Sequence, residues 1–317
     1  MQNAHRDPEQ EALAYMWGQY RTYALTAGRC KKELLSWRWR VLMLGMVGAL
    51  AGTLCQELIH LGFKTMAGWS RLPAVLGWLS AACLGLATLF GKELVSPDRE
   101  RRWIRARSLA EAFKKEVFLF RTATPPYADG ERAGCLLQRS DELLKGATDL
   151  IPDPISEQDK GRKLPEPDLT LEGYLAERID DQINNFYRVR VAELSAKLKR
   201  NKSVALVLGV LAAMLGAFGA TGWTAGWVAV ISTITASLAA YAYGGRYQYL
   251  IISYQATANR LERLRAQFQI LYQNDTAACH RFIQTCEEAI SIENSGWMSE
   301  MVRHGKQPKK LNGDIKP

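Results

Sequence analysis

The 317-residue sequence has no phosphate loop of the Gly-x-x-x-x-Gly-Lys type, no Cys-x-x-Cys, no His-Glu-x-x-His and no Gly-x-Ser-x-Gly. Its four histidines, His5, His60, His280 and His304, leave little general acid or base capacity outside the carboxylates. These absences argue against an enzyme, and no cofactor is expected. Cysteine is also sparse. Cys279, His280 and Cys286 sit close together, but their spacing matches none of the usual zinc pairs and reads as one face of a helix. The opening residues Met1 to Glu11 are polar and acidic, so no cleaved signal peptide is expected.

Charge is missing from particular stretches rather than from the whole chain. The net charge is +9 and the mean hydropathy −0.16, values that would suit a basic soluble protein. The apolar residues, however, are concentrated in Val41 to Phe63, Leu72 to Phe90, Ser203 to Gly222 and Trp223 to Gly245, and the last three contain no Asp, Glu, Lys or Arg. A bilayer core about 30 Å thick needs about 20 such residues per helix. The fold class read from this pattern is all-α: an integral membrane protein with four transmembrane helices in two hairpins, carrying long helical arms.

Orientation follows from the basic residues. Arg29, Lys31, Lys32, Arg38 and Arg40 precede the first stretch, and Lys92, Arg99, Arg101, Arg102, Arg105 and Arg107 follow the second. Arg188, Arg190, Lys197, Lys199, Arg200 and Lys202 precede the third, and Arg246 follows the fourth. The tips hold only Lys64 and Arg71 in the first pair and no charge in the second. This bias places both termini and the central connection on the cytoplasmic side of the membrane. Trp37, Trp39, Trp69, Trp223 and Trp227 suit interfacial belts. Two of the six cysteines, Cys55 and Cys83, then lie in spans. The other four, Cys30, Cys135, Cys279 and Cys286, lie on the reducing side, so no disulfide is expected.

Each hairpin is flanked by apolar stripes at helical spacing. They are Leu13, Met16, Tyr20, Tyr23, Ala27, Cys30, Leu34 and Trp37 before the first hairpin, and Trp103, Ala106, Ala110, Phe113, Val117 and Phe120 after it. Ile179, Ile183, Tyr187, Val191, Leu194 and Leu198 lead into the second, and Leu250, Tyr254, Thr257, Leu261, Leu264, Phe268 and Leu271 leave it. The predicted organisation is a first unit at 1–124, a Pro/Gly-rich linker at 125–169 with one short helix about Gly134 to Leu144, a second unit at 170–303, and a disordered basic tail at 304–317.

Small residues four apart mark helix contacts, within a hairpin or between subunits: Gly48 with Gly52, and Ala212, Gly216 and Ala220. Glu57, the only acid in a predicted span, suits either the outer interface or a water-filled path. Ser232, Thr233 and Ser237 can line a pore or bond back to preceding carbonyls. Basic residues with interleaved stacking groups away from the membrane are not evident, so no nucleic-acid partner is expected. The apolar spans also disfavour a transporter, which needs polar sites at mid-membrane.

The stretch from Tyr174 to Arg200, with Arg178, Gln182, Tyr187, Arg188 and Arg190, resembles the helix that leads into the membrane in SLATT domains. Arg246-Tyr247, Ser253-Tyr254, Thr257-Ala258 and Leu261-Glu262 resemble that family's exit helix. Arg107, Ala110, Glu111 and Lys114, followed by Arg121 and Pro125-Pro126-Tyr127, are similar to a second subtype. The resemblance implies a two-helix membrane effector of bacterial anti-phage defence, a homo-oligomer that forms pores and kills or arrests the infected cell when a nucleotide second messenger or a partner sensor protein triggers it. The alternative is a non-conducting membrane scaffold that recruits a soluble partner.

Overall fold

The computed structural model describes residues 7–62, 68–152, 164–219, 225–271 and 275–303, and among them there are helices and no strands. The chain is all-α. Helix α1, Pro8–His60, runs 53 residues without a break, from the first polar arm through the first apolar stretch. Helix α2, Leu72–Leu94, returns with Pro73 in its first turn, where a missing N–H costs nothing. Then follow α3, Pro97–Arg121, and α4, Arg132–Lys145, which is the short helix expected in the linker. Helix α5, Leu171–Tyr174, begins on Thr170, whose side chain accepts from the Gly173 N–H at 3.1 Å. It passes into a π-helical segment, Leu175–Tyr187, and on into α6, Arg188–Ala217. The remaining helices are α7, Ala225–Gly244; α8, Tyr247–Leu271; and α9, Thr276–Arg303.

Four of these helical runs are long and apolar enough to cross a membrane. In each, the most apolar stretch is only 0 to 11% buried by the protein itself. Apolar surface on that scale is not tolerated by water, and lipid is the solvent that suits it. The turn at 220–224, which would separate the third span from the fourth, lies outside the described residues. So do the first tip at 63–67, the tail at 304–317 and the candidate packing residue Ala220.

The chain divides into two compact units that cut across its two sequence halves. The first, here the body, gathers residues 1–31, 100–189 and 253–317. Its core is built from the stripes: Leu13, Met16, Tyr20 and Tyr23 of α1, Trp103, Ala106, Ala110, Phe113, Val117 and Phe120 of α3, and Tyr254, Leu261 and Phe268 of α8 are all buried. The proline-rich connection takes part in this core. Tyr127, Leu136 and Leu150 are buried, and the Tyr127 hydroxyl donates to Glu116 Oε2 at 2.6 Å. Arg121 donates to the Glu166 carbonyl at 2.7 Å and to Glu177 Oε2 at 2.8 Å.

The second unit, here the span unit, comprises residues 32–99 and 190–252. Gly48 and Gly52 work within it. A Cβ at Gly48 would stand 2.8 Å from Leu84 Cγ, and one at Gly52 would stand 2.9 Å from Ser80 Oγ. The missing side chains let α1 and α2 approach until the Ser80 hydroxyl donates to the Gly48 carbonyl at 2.7 Å. A Cβ at Gly226 would meet Thr53 Cγ2 at 3.2 Å and Glu57 Oε1 at 3.3 Å, so α7 also lies against α1. By contrast, Gly45, Gly85, Gly209 and Gly216 face open space.

Candidate functional site

The most distinctive chemistry lies inside the body, where charged groups are buried among aromatic rings. Tyr174, at the end of α5, and Arg178, Gln182 and Tyr187 of the π-helical segment face the core, at intervals of four to five residues. An α-helix would rotate that set around its surface, whereas i→i+5 bonding widens the turn and holds it on one face. Arg178 is 1% exposed. Its Nε and Nη2 donate to the two carboxylate oxygens of Glu287 on α9, each at 2.8 Å, and the Tyr174 hydroxyl donates to Glu287 Oε1 at 3.1 Å. The Phe118 ring lies 5.0 Å beneath the guanidinium. Burial opposes the charge on Arg178, but the Glu287 carboxylate outweighs it and raises the pKa above the usual guanidinium value. Burial and Glu287 together push the Tyr174 hydroxyl well up.

A second carboxylate extends this network. Glu293, two turns further along α9 and 5% exposed, has Oε2 at 3.9 Å from Arg107 Nη2 on α3. Arg107 Nη1 donates to the Tyr254 hydroxyl on α8 at 3.4 Å. Glu111 Oε2 lies 3.9 Å from the third guanidinium nitrogen of Arg178. Glu293 Oε1, Glu111 Oε2, Arg178 Nη1 and the Tyr187 hydroxyl are all buried without a partner at hydrogen-bond geometry. Burial raises the Glu293 pKa from 4.5 to about 7, with Arg107 pulling down and Glu111 pushing up. Lys114 completes the group, its pKa lowered by burial and by Arg178. Three cations, Arg107, Lys114 and Arg178, thus face three carboxylates, Glu111, Glu287 and Glu293.

Of the family-motif residues, Arg107, Glu111, Arg178, Gln182, Tyr187 and Tyr254 meet in this core. Arg188 and Arg190 do not. Arg188 is exposed, donating to Glu262 and to Asn184, and Arg190 pairs with Glu193 at 2.7 Å on the surface. Arg246 sits at the α7–α8 junction with φ at 47°, a backbone state that turns the chain between the two helices. In the spans, Glu57 is half-buried at the end of α1. Ser232 and Thr233 are exposed and Ser237 half-buried on α7; Thr233 donates to the Ala229 carbonyl at 2.9 Å. Ala212 is half-buried and Gly216 exposed on α6.

Glu287 and Glu293 are the partners that sequence reading missed. Their signal was present: both fall on the apolar face of α9 with Ile283, Cys286 and Ile290, where an acid is out of pattern. Cys286 on that face is pushed up by burial and by Glu287, away from thiolate reactivity. Among the described residues, no group of three His, Cys, Asp or Glu is arranged to hold a metal.

Residues 174–297 match the family profile of the SMODS and SLOG-associating 2TM effector domain 1, and residues 19–133 match a family described as a protein of unknown function, DUF4231. No curated protein and no solved structure matches the chain. Arg178, Tyr254, Glu287 and Glu293 fall within the first match and Arg107 and Glu111 within the second, so the buried network joins the two matched regions inside one core. Residues 174–297 thus match a SMODS and SLOG-associating 2TM effector (SLATT) domain, with a region matching DUF4231 at 19–133 ahead of it.

Proposed function

We propose that the protein is a membrane-permeabilising effector of a bacterial defence system, acting as a homo-oligomer in the inner membrane with its body in the cytoplasm. The observation that carries this reading is the way the units are joined. All four passages from body to span unit fall inside or at the ends of continuous helices: α1 at Lys31–Lys32, α3 near its start, α6 near its start and α8 near its start. A rearrangement of the body has no flexible linker in which to dissipate and is handed directly to the spans. The two-state element is the charged core, and a trigger shifts it only through different affinities for its two arrangements.

Small residues on α6 support the oligomer. Gly209 and Gly216 face open space where Gly48 and Gly52 are already filled, which leaves the third span able to approach a second copy closely. For the trigger, a partner protein suits the body better than a polyanionic nucleotide. Its cleft of about 810 Å³ carries Glu166, Asp168, Glu177, Asp180 and Asp181 against Lys114 and Arg121, a field that repels phosphate. Purified protein in dye-loaded liposomes tests permeation. Leakage that grows with protein density supports it, and tight liposomes in the presence of the genuine trigger would sink it.

One observation favours the scaffold alternative. The hydroxyls of Thr233 and Thr235 donate to the carbonyls of Ala229 and Ile231, at 2.9 and 2.8 Å, and so are not held ready for ions. If the spans only anchor, replacing both hairpins with unrelated poly-leucine hairpins preserves function in cells; if they permeabilise, that exchange abolishes it.

A further inference from the structure

At the start of the first apolar stretch, Trp37, Arg40, Met43, Leu44 and Val47 of α1 and Phe90 of α2 line an open, almost wholly apolar groove of about 440 Å³, with Trp39 at its edge. The Trp37 and Phe90 rings pack 5.3 Å apart and form one wall. The Arg40 guanidinium lies 4.6 Å from the Trp37 ring centroid, a cation–π contact that holds it over the mouth. Arg40 is exposed, and among the described residues no carboxylate pairs with it.

Depth along the span gives the groove its polarity. Arg40 immediately precedes the apolar stretch and so sits at headgroup level. At 1.5 Å rise per residue, Val47 lies about 10 Å further along the helix, among acyl chains. One end is thus an unneutralised, planar cation suited to a phosphate, and the other is a hydrocarbon channel open on its lipid side.

We propose that this groove is a binding site for an anionic phospholipid, with its phosphate on Arg40 and one acyl chain along Met43, Leu44 and Val47. A zwitterionic lipid offers the same chains, but its ammonium cancels the attraction. A basic residue at the membrane surface contributes about 1 kcal/mol with anionic lipid, so the preference should be roughly five-fold. The inference rests on these helices lying in lipid, and not on permeation: a protein that conducts nothing would still show it, and a leaky protein could lack it.

Tryptophan quenching by brominated lipid tests it on the full-length protein in nanodiscs. The nine tryptophans are resolved by subtracting the signal of a Trp37→Phe/Trp39→Phe variant. Brominated phosphatidylglycerol diluted in phosphatidylcholine should quench the Trp37 and Trp39 component several-fold more than brominated phosphatidylcholine diluted in phosphatidylglycerol, at equal mole fraction. Arg40→Gln should bring that ratio to one, and Arg40→Lys should keep part of it. Equal quenching by the two lipids in the unmodified protein would overturn the site, as would a ratio indifferent to Arg40→Gln. Soluble glycerol phosphate should not compete; if it did, the groove would take free phosphate and the lipid assignment would be wrong.

Discussion

The body and the span unit are drawn from the same helices, yet they bury their residues in opposite ways. In the body, rings and aliphatic side chains face inward: Phe113, Phe120, Tyr127, Tyr174 and Tyr187 are fully covered. Among the described apolar residues of the span unit, few, such as Leu34, Ala51, Pro73, Cys83 and Val230, are buried, while Trp78, Leu89, Leu206 and Val207 are more than half exposed. The charges are reversed as well. The body carries Arg178, Glu287 and Glu293 in its interior, whereas the charges of the span unit flank its apolar stretches, which contain a single acid, Glu57. Each unit is built for its own solvent. Water drives apolar groups together in the body and leaves enough stability for a costly polar core. Lipid supplies no such force, so small residues and close backbone approach hold the spans.

The sharpest way to break this comparison is in the body's core. Glu287→Ala leaves Arg178 charged, buried and without its bidentate partner, and should destabilise the protein by about 3–5 kcal/mol. Thermal unfolding in detergent should show the body melting early, with helix content in the spans retained. If Glu287→Ala left the melting profile unchanged, the pair would not hold the body together.

Next in size is a dependence on pH. Glu293 has a pKa raised from 4.5 to about 7, so the folded body binds its proton more tightly than the unfolded chain does. Stability from this group is fully present below about pH 4.5 and is lost as pH rises through about 7, by up to about 3 kcal/mol. Protease resistance of α9 measured from pH 5 to 8 should fall in the unmodified protein, and Glu293→Gln should flatten that fall. Burial raises the carboxyl's pKa most; Glu111 adds to the rise, and Arg107 and Tyr187 oppose it.

Smaller effects separate the two kinds of glycine in the span unit. Gly48→Leu forces α1 and α2 apart and should cost about 1–3 kcal/mol of hairpin stability. Gly216→Leu enters open space in the single chain, so it should leave monomer stability alone and shift the oligomer population seen by crosslinking in membranes. Equal effects of the two variants on monomer stability would show that α6 has an intramolecular partner. The smallest change should come from Arg188→Gln, since its pair with Glu262 is on the surface; less than about 1 kcal/mol is expected.

Much of this division was legible in the sequence. Stripes such as Trp103, Ala106, Ala110, Phe113 and Val117 predicted the buried face of α3, because a single solvent boundary acts on a regular helix. The uncharged runs predicted the spans for the same reason. Less legible was the assembly of the body from arms of both halves, since periodicity identifies a sticky face without naming its partner. The π-helical segment was also unforeseen, although Ile179, Ile183 and Tyr187 recur in steps of four with no compensating three, a repeat too long for an α-helix. Glu287 and Glu293 stand out of pattern on the apolar face of α9, but only the long-range approach of Arg178 and Arg107 shows what they neutralise.

The most direct test of the two-solvent division uses the native cysteines, all six of which are free thiols. Cys135 and Cys279 are half-buried in the body, whereas Cys55 and Cys83 lie in the first hairpin, where Cys55 Sγ donates to the Pro73 carbonyl at 3.0 Å. A membrane-impermeant maleimide applied to inverted membrane vesicles should label Cys135 and Cys279 and leave Cys55 and Cys83 unmodified until detergent dissolves the bilayer. Labelling of Cys83 as fast as Cys135 in sealed vesicles would contradict the account.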